Sequence, residues 1–187
     1  MTKPTTPKWG PIKKQLSEFS QAGLLALIKD LYDYSPENRA FLAARFAAGG
    51  NETAALEEYR ERIIKQFFPT RGSYRDPKLR EARQAIREYR KATADVAGTI
   101  DLMLTYVEAG TRFTNEYGDL WEAFYTSLES VLDDVVGLLN GPEGAGLYPQ
   151  FRERLLTLKT KTQDSGWGYH DYVAAEVDEL EERLGER

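Results

Sequence analysis

Residues 100–140 read IDLMLTYVEAGTRFTNEYGDLWEAFYTSLESVLDDVVGLLN, and the apolar spacing of this stretch decides the fold class. In its first half, Ile100, Met103, Leu104 and Val107 recur at helical spacing on one flank, with Leu102, Tyr106, Ala109 and Phe113 on the other. A helix apolar over about two-thirds of its circumference is expected to be buried on most sides. In the second half, Trp121, Phe124, Tyr125, Leu128, Val131, Leu132, Val135, Leu138 and Leu139 hold a near-heptad pattern. Gly118 falls where a left-handed residue would end the first helix. Asp119, with Glu122 three residues on, has the form of a capping box opening the second.

Outward from this stretch, the same signals repeat. Ser20, Ser35-Pro36, Asn51, Asp76-Pro77 and Asp95 each have the form of a helix start, and Gly49-Gly50 and Pro69 of a stop. Leu24, Leu25, Ile28, Leu31 and Tyr32 are spaced for one buried face. The polar run TRGSYRD (70–76) and GPEGAGLYP (141–149) read as connections, and helical patterns resume at about 150–162 and 168–184. The expectation is an all-α fold: a compact bundle of about eight helices, largely antiparallel hairpins, with a short helical-repeat stack as the alternative. Residues 1–14 read as a flexible tail and 15–187 as a single helical domain.

Composition narrows the chemistry. The chain has 187 residues and no cysteine, which excludes disulfides, thiolate metal sites and cysteine nucleophiles. No apolar run reaches the length of a membrane span, and no signal-like segment follows the early lysines, so a cytoplasmic protein is expected. P-loop, Gly-x-Ser-x-Gly and dinucleotide fingerprints do not occur in the sequence, and the single histidine, His170, does not suffice for the paired Glu-x-x-His motif of di-iron bundles. No metal and no cofactor is expected, although hard ions accept oxygen ligands alone, and Asp101, Glu108, Glu116, Asp119 and Asp133 would be the carboxylates available. The net charge of −5 conceals a division: residues 1–95 carry 18 Lys+Arg against 12 Asp+Glu, and residues 96–187 carry 7 against 18. Folding of one half against the other is the simplest use of that division.

Three groups of residues are candidates for function. Asp101, Thr105, Glu108, Arg112, Asn115 and Asp119 form a polar stripe along the otherwise apolar helix that Asp95 would cap, with Glu116 as a further candidate beside it. In the preceding helix, Arg80, Arg83, Arg87 and Arg90 form a basic stripe about 100° from its apolar face. The simplest reading pairs Arg83, Arg87 or Arg90 with Asp101 and Glu108 as internal salt bridges; the sharper one opens the polar stripe onto a pocket. The third group is Trp167, set between Gly166 and Gly168, with His170 and Asp171, read either as a packing anchor or as part of that pocket.

FTNEYGD (113–119) followed by FYTSLES, GWGYHD (166–171), and the opening LSEFSQAGLLALIKDLYDYSPENRAFLAARF together resemble a bacterial family catalogued as a domain of unknown function. That resemblance implies a cytosolic, helical, single-domain protein, with Asn115, Glu116, Tyr117, Asp119, Trp167 and His170 in the shared motifs. From the residues themselves, the leading reading is a non-enzymatic module that binds another protein, with pairing of two copies through the near-heptad helix as one mode. Its alternatives are a ligand or enzymatic pocket built from the polar stripe and His170, and nucleic-acid binding by the arginines of 80–90. Residues 62–91 hold 10 basic against 3 acidic side chains, which would suit a phosphate backbone.

Overall fold

A computed structural model describes residues 8–46, 52–69 and 76–185. Among these the chain is all helical, without a strand: α1 (Trp9–Leu16), α2 (Gln21–Tyr34), α3 (Pro36–Arg45), α4 (Glu52–Phe67), α5 (Leu79–Thr93), α6 (Val96–Tyr117), α7 (Glu122–Asn140), a 3-10 turn (Ala145–Leu147), α8 (Tyr148–Lys161) and α9 (Tyr169–Leu184). The Gly49-Gly50 stop, the Asn51 cap and positions 70–75 of the polar connection lie outside the described residues. Contacts divide the chain into two compact units between Ala43 and Ala44.

In the first unit, α1 occupies part of the expected tail. Pro11 lies in its first turn, where a missing N–H leaves no bond unmade, and Lys13 and Lys14 in its last turn complement the helix dipole. Ser20 caps α2 as expected, its Oγ accepting from Gly23 N–H at 3.1 Å. Ser35 does the same for α3, its Oγ accepting from Asn38 N–H at 3.1 Å. The apolar face of α2 departs from expectation, because Leu24, Leu25, Ile28, Leu31 and Tyr32 are all exposed. A unit of a few short helices has too little apolar surface of its own to cover them.

The second unit is built around α6. Fourteen of its 22 residues are buried, and α4, α5, α7 and α8 all pack on it. Polar side chains inside it are satisfied locally: Thr99, Thr105 and Thr111 donate to the carbonyls four residues back at 2.6, 2.9 and 3.0 Å. Gly110 allows α7 to come close, since a Cβ there would lie 2.5 Å from Leu128 Cδ2. Asp95 caps α6, accepting from Gly98 N–H at 3.1 Å. At the other end Gly118 has φ 93° and ψ 172°, a positive φ that favours glycine but not the left-handed helical turn expected there.

Phe124, Tyr125, Leu128, Val131, Leu132, Val135 and Leu139 of α7 are buried within the chain, so most of the near-heptad face is used internally. Two expectations are corrected in this unit. The Asp119–Glu122 capping box does not form; α7 starts at Glu122 behind Trp121, which makes no side-chain cap. Asp119 is engaged elsewhere, as shown below. Finally, α5 begins at Leu79 and not at Pro77, because Lys78 N–H is donated to Gln66 O at the end of α4 (3.1 Å), which holds the chain outside helical geometry until then.

A candidate binding groove on α6

The acids of the α6 stripe are answered by arginines, but not by those of α5. Asp101 Oδ1 accepts from Arg154 Nη1 of α8 at 2.6 Å, and Asp101 Oδ2 from Arg60 Nη2 of α4 at 2.6 Å. Arg154 also grips Glu108 in a fork, Nε to Oε1 and Nη2 to Oε2, both at 2.8 Å. Burial acts to lower the Arg154 pKa; the Glu108 hydrogen bonds and the Glu108 and Asp101 charges outweigh it, leaving the guanidinium above its ordinary value. One arginine therefore bridges two turns of α6. The expected pairing with Arg83, Arg87 and Arg90 is absent among the described residues because α5 meets its neighbours through Ala82, Ala85, Ile86 and Tyr89, which turns the basic stripe away from the acids. Arg83 instead donates to Ser127 Oγ and Ser130 Oγ of α7, at 3.4 and 3.3 Å. Arg80, Arg87 and Arg90 are exposed.

Beyond Glu108 the stripe opens. Glu108, Arg112, Asn115 and Glu116 line a cleft of about 770 Å³ between α4, α6 and α8, whose apolar strip is Ile64, Phe68 and Ala109. Gln150, Glu153, Arg154, Thr157 and Lys161 form its α8 wall. Asn115 donates to Lys161 O at 2.9 Å, while Arg154 meets Asp101 and Glu108 nearer the helix starts, so α6 and α8 run in the same direction and the groove follows them. Arg112 lies 4.4 Å from the Phe68 ring centroid and donates to Glu116 at 2.6 Å. Phe68 thus forms part of the wall on which the Arg112–Glu116 pair rests.

The remaining sequence candidates gather outside that cleft. Asp119 Oδ1 accepts from Tyr125 O–H at 2.5 Å and from Gly166 N–H at 3.2 Å, joining FTNEYGD to GWGYHD. Burial and then the Asp119 hydrogen bond push Tyr125 up to about 12. A Cβ at Gly166 would lie 2.5 Å from Asp119 Oδ2, which is the physical reason for glycine there. The Thr162 hydroxyl donates to Lys159 O and lies 2.9 Å from His170 Nδ1, a local tie within the α8–α9 turn. Trp167 is 60% exposed, so it is not a packing anchor. Asp171 is exposed in the first turn of α9. The pocket expected from the stripe together with His170 and Asp171 therefore holds only its α6 members. Among the described residues no three His, Cys, Asp or Glu side chains are placed to hold a metal ion, and no helix is long and apolar enough to cross a membrane.

Sequence reasoning missed Arg60, Arg154, Lys161 and the Ile64–Phe68 wall. A signal for the α8 wall existed: Gln150, Glu153, Arg154, Thr157 and Lys161 recur at helical spacing as a second polar stripe. The fold and this site define an all-helical protein with a groove along its central helix. The chain belongs to a family of unknown function (DUF6155), whose profile matches residues 9–181. No curated protein and no solved structure matches it.

Proposed function

We propose that the chain is a non-enzymatic interaction module that takes a segment of a partner protein in the groove between α4, α6 and α8. The observation that carries this reading is the apolar strip of Ile64, Phe68 and Ala109 set between walls whose two arginines are already paired. Arg154 is held by Asp101 and Glu108, and Arg112 by Glu116, so the strongest charges serve the walls and the strip is left for apolar anchors. From Thr105 to Glu116 the groove runs roughly 16 Å, room for about three turns of an amphipathic helix. A bacterial cytoplasmic setting belongs to the same reading and comes from the motif resemblance.

The test is affinity capture with the whole chain, comparing the native protein, an Ile64→Glu/Thr157→Arg form that fills the groove with charge, and an Arg80→Gln/Arg87→Gln/Arg90→Gln form. Proteins held through the groove are lost by the first variant and kept by the second. Capture unchanged by the groove variant contradicts the reading. Loss with the arginine variant, accompanied by nucleic acid in the eluate, favours the basic stripe instead.

A further inference from the structure

We infer a second binding surface, at the end of the second unit where the α6–α7 turn meets the α8–α9 turn, that takes a cationic, arginine- or lysine-bearing segment of a partner protein. The two turns carry three exposed aromatic side chains: Tyr117 at 51%, Trp121 at 45% and Trp167 at 60% exposure. The Gly166 N–H to Asp119 Oδ1 bond brings the two turns together, so the Trp121 and Trp167 Cα atoms lie within roughly 20 Å of each other. Tyr117 and Trp121 flank Asp119 two residues either side, and Trp167 follows Gly166.

Two independent features say that this display is built. Trp167 has φ 60°, a left-handed backbone that bulky residues rarely adopt, and its exposed indole gains little burial that would offset the strain. Gly166 and Gly168 flank it, the first fitted against Asp119 and the second itself at φ 72°. The second feature is charge. Residues 117–122 and 164–171 carry four carboxylates and neither lysine nor arginine. Of these, Glu122, Asp164 and Asp171 are exposed and have no ion pair among the described residues. Aromatic faces attract cations through the ring quadrupole, and unpaired carboxylates around them select positive charge and reject negative. An exposed aromatic patch in an acidic rim therefore fits a basic segment. This surface stands independently of the groove, whose walls carry both signs around the strip of Ile64, Phe68 and Ala109.

The experiment titrates the full chain with a hexa-arginine peptide, with hexa-glutamate and hexa-proline peptides for comparison, by calorimetry at two salt concentrations. The inference predicts saturable hexa-arginine binding. Trp167→Gly, which suits the left-handed backbone, and Trp121→Ala should each weaken it at least about tenfold, while Glu176→Gln leaves it within about twofold. Circular dichroism confirms that each variant is folded. The inference is overturned by no hexa-arginine binding, by equal weakening in Glu176→Gln, which would mark diffuse attraction to an acidic protein, or by preference for hexa-proline. Oligomers of the native chain that dissociate in Trp167→Gly would likewise overturn it, because the occupant would then be a second copy.

Discussion

At the scale of single residues, Arg154 decides how the polar stripe is used. Its side chain is 28% exposed, with Asp101 at 16% and Glu108 at 35%. Removing it leaves Glu108 without its cation and Asp101 with Arg60 alone, which costs more than the loss of a surface pair and less than that of a fully buried one. Arg154→Ala should therefore lower unfolding stability by about 2 kcal/mol in urea titration. Arg87→Ala, exposed and away from the stripe, should stay within about 0.5 kcal/mol. Equal effects would mean that α5 does share in neutralising the acids. The stripe itself was legible in the sequence from its four-and-three spacing. Its partner was not, because spacing along one helix says which side chains share a face and nothing about which neighbour that face meets.

At the scale of elements, helix starts were legible wherever a cap acts locally. Ser20, Ser35 and Asp95 each bond an amide three residues on, and Asp95 does so with Oδ1 while Tyr89 O–H is donated to its other oxygen at 2.8 Å. Asp119 fails as a cap because Tyr125 and Gly166 claim its carboxylate, a long-range arrangement that local pattern does not contain. The same distinction applies to glycines. Alanine in place of a mid-helix glycine ordinarily gains up to about 1 kcal/mol in helix propensity. Gly110→Ala should instead destabilise by about 1–3 kcal/mol, because its Cβ would meet the buried Leu128 side chain at the α6–α7 contact. Thermal unfolding checks the sign; a rise in Tm would show that α6 and α7 lie further apart than described.

At the scale of the whole molecule, the acidity of residues 96–187 has an energetic consequence on α7 and α9. Burial and then the Asp133 charge raise both Glu129 and Glu176 above the ordinary glutamate value. The folded form then holds its protons to higher pH than the unfolded chain, so these groups cost stability at neutral pH, and the cost disappears as pH falls through their folded values. Glu176→Gln should raise stability at pH 7 by about 0.5 kcal/mol, a gain that fades near pH 4 to 5. An unchanged gain at pH 4 would contradict that origin. Opposite charge in the two halves suggested mutual neutralisation, yet Arg60 to Asp101 is the pair that crosses between them in the described ion pairs, and the acidic half answers much of its own charge through Arg152, Arg154 and Lys159. Overall composition recorded the imbalance without its geometry. The all-helical class was legible because long, patterned helices declare themselves, whereas the groove needs three helices from distant parts of the chain.

The groove is the centre of this account, and photo-crosslinking in cells tests it most directly. A photoreactive residue is placed at the exposed Thr157 on the groove wall or, for comparison, at the exposed Arg87 on α5. The account predicts a discrete protein adduct at position 157 that Ile64→Glu abolishes, with none at 87. An adduct at 87 and none at 157 would contradict it.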